Sequence, residues 1–140
     1  MNLTRTGMVM LILGAAACRG ASATDKSGLP RMRPAELGAS SAVYFTLRNW
    51  SADTIVLLGA EIDVAAATGI HQFLDHQGMA SMQRLDSVVV LPRDSVRFAE
   101  RGLHIMASAV HTPLVVGDTI VLRLRFRGTR VDTVRVAVRE

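Results

Sequence analysis

Aromatic residues are scarce in this 140-residue chain, at 4%. Its interior therefore cannot be built around rings, and Val, Leu, Ile and Ala must supply the core. Cysteine is scarcer still, with a single residue at position 18. No segment carries a convincing helical period of apolar residues, and no apolar run is long enough to span a bilayer. There is no internal repeat and no sign of a second domain; the length suits one domain with a modest core. A nucleophile paired with a base, a Gly-rich phosphate loop and a carboxylate cluster are all missing, which argues against an enzyme. The formal charge is +4. Its arginines, however, alternate with apolar residues in Leu122-Arg123-Leu124-Arg125-Phe126-Arg127, as on a solvated strand face. No aromatic stacking residues stand beside them, which speaks against a nucleic-acid partner.

The N-terminus has its own pattern. Arg5 precedes an apolar run over residues 7–17 that ends in Ala15-Ala16-Ala17. A charged start, a short apolar stretch and a small-residue end form a secretory signal over residues 1–17, too short for a membrane-spanning helix. Cys18 follows directly, which resembles the lipobox of bacterial lipoproteins, in which the cysteine becomes the lipidated first residue. The alternative is a plain signal peptide with an incidental cysteine, since Ala15 stands where Leu is commoner. Either way the mature protein is exported, to the periplasm or the outer face of the cytoplasmic membrane. A lipidated Cys18 leaves no thiol for a disulfide or for thiolate catalysis. Residues 18–34 are rich in Ala, Ser, Gly and Pro without apolar periodicity. They read as a flexible tether to a domain spanning residues 35–140.

From Ala35 onward, short β-type runs alternate with turn residues. Val43, Phe45 and Leu47 alternate toward one face of a strand over Ala42 to Leu47. Further strands are expected over Asp53 to Val64, Ser87 to Leu91, Ser95 to Glu100 and Leu103 to Val110, with a Pro92-Arg93-Asp94 turn between the second and third of these. Thr119 to Arg127 is the clearest, with Ile120, Leu122, Leu124 and Phe126 pointing in. Gly128-Thr129-Arg130 turns the chain into Val131 to Val138, where Val134, Val136 and Val138 repeat the pattern. Six to eight short strands and no long helix imply an all-β sandwich or small barrel.

One set of side chains carries chemistry. His71 and Met82 are separated by ten residues, Met82 and His104 by twenty-one, and His104 and Met106 by one. Residues two apart in a strand share a face, so His104 and Met106 present a nitrogen and a sulfur side by side while Ile105 points into the core. His71 lies at the end of a strand-like stretch and Met82 past the Gly78 loop. Bringing both to the His104 face would complete a four-ligand site. Imidazole plus thioether is the donor set that soft, monovalent Cu(I) prefers. Met has no titrating proton, so only the histidines make such a site pH-sensitive. Taken one at a time, each of these residues has a bland alternative: core filler for a Met, a surface or satisfied core residue for a His.

The spacing His-x10-Met-x21-His-x-Met resembles the signature of the PCu(A)C family of periplasmic copper chaperones. Residues 42–49 look like that family's opening strand, and residues 78–82 like its Met-bearing loop. Gly102-Leu103-His104-Ile105-Met106 looks like its Gly-x-His-Ile-Met strand, and residues 117–126 like its closing strands. The resemblance covers residues 35–140. It implies a cupredoxin-like, immunoglobulin-like β fold that binds one Cu(I) near the surface through His71, Met82, His104 and Met106. It further implies a monomer that passes the metal toward the binuclear copper site of cytochrome c oxidase, directly or through a Sco-type partner. Two departures touch the surroundings of the ligands: Gln72 where the family often has an acid, and Ala107 where a large apolar residue is common. Some members of that family carry a His/Met-rich tail for extra copper; this sequence runs to Glu140 with no such tail, so a second C-terminal copper site is not expected. His76 and Met79 share the loop of Met82 and are either auxiliary ligands or solvated loop residues. His111, beside Thr112-Pro113, reads as structural or exposed. Two other readings stay open. One is a copper buffering or resistance lipoprotein. The other is a metal-free structural β-sandwich lipoprotein.

Overall fold

The computed structural model describes residues 29–140, and among these every regular element is a β-strand. The strands are β1 (Arg31–Met32), β2 (Ser41–Arg48), β3 (Ile55–Ile62), β4 (Ala65–His76), β5 (Met79–Leu85), β6 (Val88–Val90), β7 (Ser95–Phe98), β8 (Leu103–Val110), β9 (Thr119–Phe126) and β10 (Val131–Val138). They form one sheet in the order β5-β4-β8-β2-β1-β10-β9-β3-β6, with β7 pairing β2 off this path. All pairings are antiparallel except that of β1 with β10. The sheet curls so that one face encloses a single apolar core.

Period-two alternation explains most of this. In β9, Ile120, Leu122, Leu124 and Phe126 are buried while Arg125 is exposed. The outward arginines meet acids at the end of β3 and just past it, Arg125 with Glu61 and Arg123 with Asp63. This is the solvated face that the alternation implied, and exposed pairs of this kind add little stability because solvent screens them. Val43, Phe45 and Leu47 of β2 are buried. Phe45 stacks on Phe98 of β7 with ring centroids 4.4 Å apart, so the few rings present are used as a pair. Fully burying one Leu or Ile side chain contributes about 1.5–3 kcal/mol, and Leu57, Ile70, Ile105, Leu122 and Leu124 all reach that state. Asn49 ties the β2 end to its neighbours. Its buried side-chain amide donates to the carbonyls of Asp53, Val90 and Leu91.

Two expectations need correction. The tether does not extend to residue 34: Arg31 and Met32 pair with β2 and β10, and Met32 is fully buried. Two residues are too few to show periodicity, so this strand exists only because it fills the gap between β2 and β10. Nor is Met82 in a loop. It lies on β5, paired across from Phe73. β4 and β5 form a long hairpin closed by Gln77 and Gly78, both in the left-handed region with φ of 54° and 83°. That is the conformation of a two-residue turn whose twist suits a hairpin. The secretory signal over residues 1–17, Cys18 and the tether up to residue 28 lie outside the described residues.

Candidate metal centre

The β5-β4-β8-β2 part of the sheet turns one face to the core and the other outward. Ile70 and Ile105 pair on the core side, and both are buried. Their neighbours His71 and His104 therefore pair on the outward side, directly across from one another. The rings lie 6.1 Å apart, centroid to centroid, tilted by 30°. Met106, two residues past His104, shares this face and stands opposite Gly69. Met82 pairs with Phe73, one row beyond His71 on the same face. A diagonal neighbour of that kind is within reach of a long side chain. Met82, His104 and Met106 line one cleft of about 390 Å³, together with Tyr44 and Phe73. Arg33 and Arg101 also border this cleft, whereas His71 stands beside it.

The two imidazoles differ in their hydrogen bonding. His104 is 5% exposed, and its Nδ1 lies 3.0 Å from the Gly102 carbonyl oxygen. A carbonyl only accepts, so Nδ1 carries the proton and Nε2 keeps a free lone pair, the arrangement usual for a metal-binding histidine. His71 Nδ1 is buried and has no hydrogen-bond partner. Burial first, then the nearby His104 and the Arg84 guanidinium, hold the His71 pKa below the ordinary imidazole value. The ring is thus kept neutral and able to ligate. A soft metal ion would give the orphaned nitrogen a partner, and the nearby thioethers supply the remaining donors. Among the described residues no three His, Cys, Asp or Glu side chains gather, so a carboxylate-rich cage for a hard dication is not built there. The residues present fit Cu(I).

The hairpin separates the other candidates from this face. His76 and Met79 are directly opposed at its tip. Side-chain alternation sends them to the hairpin face away from Met82, so they do not converge on the His71–His104 site. Met79 is 74% exposed. His111 is exposed, beside Thr112.

Sequence reasoning passed over Gly69 and Arg84. A methyl on Gly69 would lie 3.1 Å from His71 Nε2, so the imidazole rests in space that only glycine leaves. A glycine inside a strand, two residues before a candidate ligand, is the signal that could have shown it. Arg84 pairs across from His71; as one arginine among fifteen basic residues of the mature chain, it carried no distinguishing mark.

Residues 27–138 match the LpqE-like lipoprotein family. The chain belongs to that family. A protein of Leifsonia xyli subsp. xyli (strain CTCB07), named as a lipoprotein (Lxx21020), is 28% identical over 101 residues, or 71% of this chain. The match spans 61% of that relative's length. Among solved structures, the copper-bound PCuAC domain from PmoF2 superposes with a TM-score of 0.63 at 21% identity, over 78% of this chain and 86% of that one. The Cu(I) form of DR1885 from Deinococcus radiodurans gives 0.62 at 25% identity, over 88% and 85%. The apo PCuAC domain from PmoF1 gives 0.64 at 16%, over 79% and 88%. The LpqE-like chain thus has the fold of PCuAC domains, and the cupredoxin-like, immunoglobulin-like all-β expectation holds.

Proposed function

We propose that this LpqE-like protein is an exported copper carrier that holds one Cu(I) as cargo through His71, Met82, His104 and Met106 and hands it on by ligand exchange. The observation that carries the reading is the pair of facing imidazoles on the outward sheet face. One has its Nδ1 proton engaged by Gly102 and the other a buried nitrogen without a partner, with two thioethers beside them. Two of the structures sharing this fold are described as copper-bound or Cu(I)-bound, which supports copper as the cargo. Neutral nitrogen and thioether donors hold Cu(I) less tightly than thiolates would, which suits release. Met82 is 58% exposed, so it is the donor an incoming ligand reaches first.

The lipoprotein names in the family and of the Leifsonia relative support export and anchoring through Cys18. The acceptor we propose is the binuclear copper site of cytochrome c oxidase, directly or through a Sco-type partner, with the carrier acting as a monomer and not as an enzyme. Titration of the purified protein with Cu(I) against a chromogenic chelator tests the site. The expected result is one equivalent withheld from the chelator, and loss of that equivalent in Met106→Leu and His104→Ala. No withheld copper, or withholding that survives both substitutions, refutes the assignment.

A further inference from the structure

Arg84 stands directly across from His71 in the β4–β5 pairing. Both side chains lean over Gly69. A methyl on that glycine would lie 3.1 Å from His71 Nε2 and 3.5 Å from Arg84 Cζ. The guanidinium carbon and the imidazole nitrogen are therefore within 6.6 Å of each other, the sum of these two distances. Some outward arginines have carboxylates: Arg31 has Glu100, Arg123 has Asp63, Arg125 has Glu61 and Arg130 has Asp132. Arg84 forms no ion pair or hydrogen bond among the described residues, although Asp86, two residues on, lines the same small cleft. A positive charge without a direct ion-pair partner thus stands next to the side chain on which a cation is to be held.

Such an arrangement opposes binding of any cation, which is an odd feature for a metal site unless it discriminates. Soft donors choose between metals by ligand type. They do not by themselves scale with ionic charge, whereas Coulomb repulsion does, in direct proportion. We propose that Arg84 is a charge-selectivity residue, whose guanidinium penalises a dication twice as heavily as a monocation and so favours Cu(I) over Cu(II) and eases release. This rests on the reading of His71 as a copper ligand. For a fixed charge about 6–10 Å away at an effective dielectric near 20, screened by ordinary salt, the penalty is several-fold to about tenfold in affinity per unit of metal charge.

The test uses the full chain with Arg84→Gln, Arg84→Lys and His71→Ala. Cu(I) and Cu(II) affinities are measured by chelator competition at about pH 8, above the imidazole range, so that proton competition drops out. Arg84→Gln is expected to tighten Cu(I) by some factor and Cu(II) by about the square of that factor. Arg84→Lys stays near the parent. The reduction potential of the bound copper falls in Arg84→Gln by 59 mV for each tenfold net preference lost, and the effect shrinks in high salt. Equal factors for the two ions, identical behaviour of the Gln and Lys variants, or no change in either ion refutes the proposal. If His71→Ala abolishes Cu(I) binding while Arg84→Gln changes nothing, only the selectivity role falls. If His71→Ala leaves Cu(I) affinity intact, the ligand assignment falls with it.

Discussion

Gly69→Ala is the most informative single change at this site. The added methyl would meet His71 Nε2 at 3.1 Å, His71 Cδ2 at 3.3 Å and Arg84 Cζ at 3.5 Å. Ordinary van der Waals separation for such atoms begins near 3.5 Å, so the neighbours must move by a few tenths of an ångström. Arg84 has a long flexible stem and swings aside. The imidazole has two torsions and sits packed beside His104, so it turns away from its resting place. Metal–ligand distances tolerate only about 0.2 Å, and disturbing what orients a ligand typically lowers affinity 10- to 100-fold. A Cu(I) loss of that size is the expected outcome. Stability should barely change. Gly69 is outside the left-handed region, so Ala restricts the unfolded chain and contributes about 0.4–1 kcal/mol, offsetting the local crowding. Urea unfolding should therefore differ from the parent by less than about 1 kcal/mol. Chelator competition measures the affinity. Unchanged Cu(I) affinity in a normally folded variant would mean that the His71 ring is not positioned by Gly69 or is not a ligand.

Other changes separate folding from binding. Asn49→Ala removes the amide that serves three carbonyls, at 2.7 Å to Asp53, 3.1 Å to Val90 and 3.0 Å to Leu91. It should cost about 2–4 kcal/mol in urea or thermal unfolding with Cu(I) affinity intact, and Asn49→Asp, which cannot donate, should fare no better. Met82→Leu replaces an exposed thioether with an apolar side chain of similar volume. It should leave stability within about 0.5 kcal/mol while stopped-flow transfer of copper to a chelator accelerates. The lowered pKa of His71 sets a pH dependence. On acidification the unfolded chain takes up the proton first, near pH 6.5, so stability contributed by the neutral ring is complete above that pH and is lost as pH falls toward the folded-state pKa. NMR titration of the metal-free protein should place the His71 midpoint below that of an unfolded-state histidine, and a midpoint at or above it refutes the burial argument.

Much of the fold was legible because alternating burial writes itself into β-strands. Ile120, Leu122, Leu124 and Phe126 announce β9, and Val43, Phe45 and Leu47 announce β2, since each has one face in the core. β5 was missed for the converse reason. Met79 to Arg84 are all exposed, so neither face imprints a pattern, and the strand arises from pairing with β4. β1 was missed because a two-residue strand has no period at all. At the site, His104 and Met106 were placed together correctly, since two positions within one strand need no knowledge of the rest of the chain. Proximity to Met82 in sequence left His76 and Met79 as either auxiliary ligands or solvated loop residues, and the hairpin directs them to its other face.

By itself the sequence determined the all-β class, the inward and outward sides of β2, β8 and β9, and the chemical nature of the donors, because these depend on residue type and local spacing. Only the tertiary structure decided that His71 stands across from His104, that Gly69 leaves room for an imidazole and that Arg84 stands beside His71. Those facts follow from strand register, which is set by contacts among residues far apart in the chain. Sliding β4 by one residue against β8 would put His71 in the core and leave the same sequence without this site.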